Sequence, residues 1–274
     1  MMTVQHLQHQ SRQLLTGDDA ALEIDMLLAY VLGKNRSFLR TWPEHCLNDT
    51  QFDQYHQLLQ QRLEGKPLAY ILGERGFWRL SLQVNSAVLI PRPDTECMVE
   101  AVLKLGDGQV WRVADLGTGS GAIALSLALE HPEWDVTATD ISIDSLAIAQ
   151  QNALKHQLTN ITFLQGSWFE PLTGLYHCLV SNPPYIAADD PHLADLTHEP
   201  PHALVAAENG MADLAHIVRL SNDFLHKNGW LVVEHGFEQG TAVRALFTAA
   251  GFQQVTTEYD YGGNPRYSYG QKPC

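Results

Sequence analysis

From Asp94 onward the chain alternates two hydrophobic rhythms, and this alternation restricts its fold more than any other feature. Runs of strand length fall at Trp111 to Asp115, Asp135 to Asp140, Ile161 to Gln165, His177 to Ser181, Trp230 to Glu234 and Gln253 to Tyr259. Between them, helical spacing predicts helices at Gly121 to Glu130, Ile143 to Lys155, Asp213 to His226 and Glu238 to Ala250. Strands and helices in regular succession are the pattern of a mostly parallel sheet covered on both faces. A last segment, Arg266 to Gln271, follows the turn residues Gly262-Gly263-Asn264-Pro265 and suits an antiparallel return strand. The expected fold class is therefore α/β, a Rossmann-like sheet of seven strands.

The chain before this region has a different rhythm. Leu22, Ile24, Leu27, Leu28, Val31 and Leu32 predict a helix from Asp18 or Asp19 to Gly33, and a stripe from Phe52 to Leu63 predicts another, ended by Gly65 and Pro67. Residues 75–90 turn strand-like: Phe77 to Val84, then Val88-Leu89-Ile90 around Asn85-Ser86, which predicts a β-hairpin. The expected division is a helical domain at residues 1–74, a hairpin linker at 75–92 and the α/β domain at 93–274.

Composition excludes several classes. At 274 residues and 45% hydrophobic, the chain has enough apolar material for a sizeable core, and no run approaches a membrane span. Met1 to Gln10 lacks an apolar signal core, so a cytoplasmic protein is expected. Cys46, Cys97, Cys178 and Cys274 form no C-x-x-C pair and the histidines no H-E-x-x-H pattern, so neither a disulfide framework nor a metal site is expected. A formal net charge of −14 repels a polyphosphate backbone and argues against direct nucleic-acid binding.

Two motifs carry chemistry. Asp115-Leu116-Gly117-Thr118-Gly119-Ser120-Gly121 follows a strand and opens a helix, where missing side chains let a ligand approach the backbone and the helix N-terminus. Asp140, at the end of the next strand, is placed to accept the ribose hydroxyls of a nucleoside; alone, this pair suits NAD as well as other nucleoside cofactors. The second motif is Asn182-Pro183-Pro184-Tyr185, directly after a strand. Its prolines fix φ and remove donors, so the turn displays acceptors toward a planar N–H group such as a carboxamide or a nucleobase edge. Ligands in open α/β sheets bind beyond the carboxyl ends of the strands, so both motifs, with Ser167-Trp168, converge on one crevice. Hydride transfer gives N-P-P-Y no role, whereas methyl transfer to a planar nitrogen does.

With these motifs, residues from about Val110 to Cys274 resemble the class I S-adenosylmethionine-dependent methyltransferases. Leu89-Ile90-Pro91-Arg92-Pro93-Asp94-Thr95-Glu96, the Gly76-Phe77-Trp78 hairpin, the segments Glu199-Pro200 to Ala203-Leu204 and Gly263 to Arg266, and the helical start extend the resemblance over nearly the whole chain. In these features it is similar to the protein glutamine N5-methyltransferases of the HemK type, which act on class 1 peptide chain release factors.

The resemblance implies S-adenosyl-L-methionine as cofactor and S-adenosyl-L-homocysteine as product. It places Gly117, Thr118, Gly119, Ser120 and Gly121 on the methionine part, Asp140 on the ribose and Trp168 near the adenine, with Asn182 bordering cofactor and substrate. Asn182, Pro183, Pro184 and Tyr185 would hold the substrate glutamine, Asn182 and Pro183 through their oxygens and Tyr185 by stacking on the amide. The family often has an acidic residue before the tryptophan, and here Ser167 stands in that place. Phe77 is a candidate for another pocket wall, and the resemblance implies that the segment with Arg92, Thr95 and Glu96 borders the site, while Asp94 or Thr95 also reads as N-cap and Glu96 as a first-turn residue of the helix that follows. The helical start is expected to help grip the release factor. The alternative is an N6-adenine methyltransferase on DNA or RNA, which would use the same turn on a flipped base.

Overall fold

A computed structural model describes residues 2–106 and 108–274. The chain divides into two compact units, with the boundary between Gly73 and Glu74.

The first unit is helical: α1 (Val4–Leu14), α2 (Ala20–Leu32), α3 (Arg36–Thr41), α4 (Asp49–Leu63) and α5 (Leu68–Leu72). Helix α2 ends at Gly33 in the left-handed conformation (φ 60°), which frees the last carbonyls for capping. Helix α4 starts with a capping box, Asn48 and Gln51 each accepting the other's backbone N–H. Val4, Leu7, Ile24, Leu27, Leu28, Leu39, Tyr55 and Leu59 form the core. The spacing predicted α2 and α4 but not α1, whose buried face includes a polar residue: Ser11 Oγ lies 2.6 Å from the Tyr55 hydroxyl. After α4 ends at Leu63, Pro67 opens α5, where its missing N–H costs no helical hydrogen bond.

The second unit begins with the hairpin, β1 (Glu74–Phe77) and β2 (Leu80–Gln83), paired from Glu74 with Gln83 to Phe77 with Leu80. Its turn is Trp78-Arg79, with Trp78 at φ 54°, and not the expected Asn85-Ser86. Val88 to Ile90 forms no second arm. Pro91 and Pro93 leave that segment poor in ladder donors, and the Ile90 N–H goes instead to Glu199.

Then come α6 (Glu96–Leu105), β3 (Arg112–Leu116), α7 (Ala122–Glu130), β4 (Asp135–Asp140), α8 (Ile143–Lys155), β5 (Ile161–Gln165) and β6 (Tyr176–Ser181). The short turn α9 (Ala207–Gly210), α10 (Ala212–Ser221), β7 (Leu225–Glu234), α11 (Gly240–Ala249), β8 (Gln253–Tyr259) and β9 (Pro265–Gln271) complete the unit. The seven-stranded sheet has the order β5-β4-β3-β6-β7-β9-β8. The first five of these are parallel, and β9 inserts between β7 and β8, antiparallel to both.

Successive strand residues face opposite ways, so each central strand feeds two cores. Val113, Val136, Cys178 and Val232 pack with α6, α7 and the hairpin residues Phe77, Leu80 and Leu82. Ala114, Leu116, Leu179 and Val233 pack with Leu214 and Ile217 of α10 and Val243 and Phe247 of α11. The predicted helix from Asp213 to His226 stops at Ser221, and β7 starts four residues later. Tertiary bonds override the helical spacing there: Asn222 donates to the Ala250 carbonyl, Lys272 to the carbonyls of Asn222 and Leu225, and Leu225 pairs with Tyr176.

Candidate active site

The strand order reverses between β3 and β6, and the crevice beyond their carboxyl ends is where ligands of such sheets bind. A cavity of about 320 Å³ occupies it, at the small end of the range for ligand pockets.

The glycine loop forms one wall. The N–H groups of Gly117 and Thr118 both donate to the Thr139 carbonyl, which ties the loop to the end of β4. Gly117, Gly119 and Gly121 all have positive φ, and a β-carbon on Gly117 would meet the Trp168 ring at 3.1 Å. Beneath the loop, Asp115 is fully buried. Its Oδ2 accepts the Thr118 hydroxyl (2.7 Å) and the Ala124 N–H (3.2 Å), while Oδ1 has no partner among the described residues. Burial pushes this carboxyl up to about 7 despite both bonds.

Asp140 closes the next wall. Oδ2 accepts the Gly119 N–H and Oδ1 the Ser142 N–H, each at 2.9 Å, so each oxygen keeps a lone pair for a ligand hydroxyl. Burial raises its pKa and the two N–H bonds oppose that. Ser142 caps α8, through a bond from the Ser145 N–H. Trp168 has left-handed backbone (φ 46°) and lines the cavity while also packing on the core. Ser167 lines the cavity too, and its N–H is held by the Glu170 carboxylate at 3.1 Å.

Asn182 and Pro184 border the same cavity, with Gly117, Thr118, Gly119, Ser120, Asp140 and Trp168. Gly121, Pro183 and Tyr185 do not line it. Gly121 instead starts α7 against Leu125 and Ala149. Tyr185 stands beside the cavity lining: its hydroxyl donates to Glu234 Oε1 at 3.2 Å, and the partly buried ring packs against the core. Asn182 Nδ2 donates to Thr95 Oγ1 at 3.4 Å.

The residues before α6 divide in the same way. Phe77 is buried and lines the cavity, as do Arg92 and Thr95. Thr95 stands at the N-cap position of α6 but makes no capping bond. Glu96 accepts the Trp78 N–H at 2.9 Å, outside the cavity lining. Asp94 faces Arg266 at 3.7 Å.

Sequence reasoning missed Glu199, His202, Asp213 and Glu234. Glu199, 5% exposed, accepts the Ile90 N–H and pairs with Arg92, fixing the Ile90-Pro91-Arg92 wall to the segment after the N-P-P-Y turn. His202 and Asp213 line the cavity, with no sequence signal beyond the nearby Glu199-Pro200 segment. Glu234 ends β7 almost fully buried, where an acid in an apolar strand was itself a signal.

A family model described as PrmC N-terminal domain matches residues 5–73, and one described as Methyltransferase small domain matches residues 94–260. The release factor glutamine methyltransferase of Salmonella typhimurium is 47% identical over 98% of this chain and 99% of its own length. That of Vibrio cholerae is 48% identical over 93% of this chain and 90% of its own. Among solved structures, a Pyrococcus furiosus methyltransferase superposes with a TM-score of 0.57 at 15% identity, over 78% of this chain and 98% of its own. The T. thermophilus 16S rRNA N2 G1207 methyltransferase, solved with AdoMet and guanosine, gives 0.54 at 17% identity over 73% of this chain and 49% of its own. At such identities the structures speak to the fold alone. The sequence relatives span both units, and this chain belongs to the release factor glutamine methyltransferase family.

Proposed function

We propose that this protein transfers the methyl group of S-adenosylmethionine to the side-chain N5 of a glutamine in a class 1 peptide chain release factor. The observation that carries the reading is the meeting of Asn182 and Pro184 with the glycine loop and Asp140 around one cavity, in a chain nearly half identical to relatives of that name. The cytoplasm is the matching location.

The cavity fits the cofactor: the loop leaves open space at Gly119, and Asp140 has lone pairs to spare for ribose hydroxyls. Gly117 to Ser120 would face its methionine part, with Gly121 shaping the loop, and Trp168 would border the adenine. When bound, it supplies an electrophilic sulfonium methyl and leaves as S-adenosylhomocysteine.

A carboxamide nitrogen is a poor nucleophile because its lone pair is delocalised, so the protein's work is orientation. Asn182 Oδ1 and the Pro183 carbonyl accept the two N–H bonds of the substrate amide, turn its lone pair toward the methyl and favour the positive charge that develops on nitrogen. Pro184 and Phe77 exclude water from the amide, and Tyr185 braces the turn from behind. No strong base is needed, because the alkylated nitrogen is acidic enough to give its proton to water.

The test is methyl transfer from labelled S-adenosylmethionine to three acceptors: a purified release factor, the same factor with its acceptor glutamine substituted, and duplex DNA. Label confined to the unsubstituted factor is expected. Label in DNA, or undiminished label in the substituted factor, overturns the reading.

A further inference from the structure

Behind Asn182 a line of polar groups runs into the core. Asn182 Nδ2 donates to Thr95 Oγ1, and the Thr95 hydroxyl, itself 3% exposed, lies beside the carboxyl of Glu234, where it favours the charged form. Glu234 Oε1 takes the Tyr185 hydroxyl, while Oε2 is buried with no hydrogen-bond partner among the described residues. The Thr95 hydroxyl is therefore the donor at hand for it.

A hydroxyl has one proton to give. While Glu234 is charged it can only accept, so the Thr95 proton goes to Glu234 and the Thr95 oxygen is left to accept from Asn182. That arrangement presents the Asn182 NH₂ to Thr95 and turns Oδ1 the other way, free to accept an N–H of the substrate amide. Once Glu234 carries a proton the order reverses: Glu234 donates to Thr95, and Thr95 donates to Asn182 Oδ1. The amide of Asn182 then shows its NH₂ to the substrate NH₂, donor against donor.

We propose that Glu234, acting through Thr95, is a positioning residue that sets which face of the Asn182 amide meets the substrate, so that productive binding depends on the charge of one buried carboxylate. The proposal rests on the reading that Asn182 holds the substrate amide. Charged and titratable groups face Glu234 from each neighbouring element: Arg266 on β9 favours its charged form, Asp94 before α6 opposes it, and Tyr185 after β6 donates to it. His235, directly after β7, is directed to Ser268 and the Gly236 carbonyl. Burial outweighs the favourable partners and pushes Glu234 up to about 7, so its charge changes near neutral pH.

The test measures kcat against pH with labelled S-adenosylmethionine and release factor, for wild type, Glu234→Gln, Thr95→Ala and Thr95→Ser. Cofactor affinity is measured by calorimetry, and the side-chain NH₂ resonances of Asn182 are followed by NMR in the protein without substrate. Wild-type kcat is expected to fall as pH drops through about 7, and Glu234→Gln to lower it about tenfold or more with a flat profile and unchanged cofactor affinity. Thr95→Ala loses the same activity, Thr95→Ser restores it, and the Asn182 resonances move across the same pH range only when Glu234 is present. Wild-type kcat and profile in Glu234→Gln, an equal loss of cofactor affinity, or Asn182 resonances indifferent to pH overturns the proposal. If wild type labels no release factor at any pH, the functional reading has failed instead, and the NMR titration alone decides the relay.

Discussion

Gly210 packs against the Tyr185 carbonyl so closely that a β-carbon built on it would lie inside van der Waals contact with that oxygen. The same carbonyl accepts the Gln239 amide at 3.0 Å, and Gly210 has φ 81°, where only glycine rests without strain. The N-P-P-Y turn is thus braced from behind by backbone. Gly210→Ala is expected to shift the turn and lower kcat by about tenfold to a hundredfold, since a displacement of about 1 Å at a positioning group has effects of that size. Steady-state kinetics beside a cofactor titration checks this, and an unchanged kcat would mean the brace is dispensable.

Asn182→Ala and Asp140→Ala are expected to fail in opposite ways. On the proposed roles, the first removes the acceptor for the substrate amide, so turnover falls by about a hundredfold or more while cofactor affinity holds. The second removes the proposed ribose acceptor and also frees the Gly119 N–H, so cofactor affinity weakens first, by about tenfold or more. Calorimetry with cofactor and single-turnover transfer separate the two. A matching loss of both in Asn182→Ala would show that its role is misassigned.

Asp115 makes stability depend on pH. The unfolded chain releases its proton near the usual carboxyl value, whereas burial holds it in the folded state up to about 7. Between those values the folded state binds more protons, so stability falls as pH rises and levels off above about 7. Asp115→Asn removes this contribution, and urea unfolding from pH 4 to 8 should show a shallower decline, by an amount on the order of a few kcal/mol. Glu234, raised in the same direction, leaves part of the slope in place. An identical slope in the variant counts against the assignment.

Glu199→Ala leaves the Ile90 N–H and the Arg92 guanidinium without their shared acceptor. Arg92 is half-buried and regains water, so a loss on the order of 2 kcal/mol is expected. The Pro91-Arg92 wall of the cavity should loosen as well, raising KM for the cofactor. Thermal unfolding and a KM measurement report the two effects, and Glu199→Gln, which keeps an acceptor for Ile90, should lie between the variant and wild type.

Local features carried much of the fold into the sequence. The limits of β4, α8, β5 and β8 follow from apolar spacing, and the glycine loop, Asp140 and Asn182 sit at strand ends whose position the alternation already implied. The hairpin turn was placed wrongly because Asn85-Ser86 has turn chemistry by composition, whereas the real turn holds Trp78 in a left-handed conformation that packing imposes. The helix expected to reach His226 ended early because Lys272 and Tyr176 claim the backbone around Leu225, partners that no local window contains.

The sequence by itself determined where the two motifs lie, at one end of the sheet, because period-two and helical spacing dictate strand and helix ends and the motifs sit on them. Only the tertiary structure decided how those residues are held. Tyr185 and Glu234 meet across 49 residues of chain, and Ile90 and Glu199 across 109. The direction in which Tyr185 points depends on a buried acid on a neighbouring strand, and a contact of that kind leaves no periodic trace in sequence.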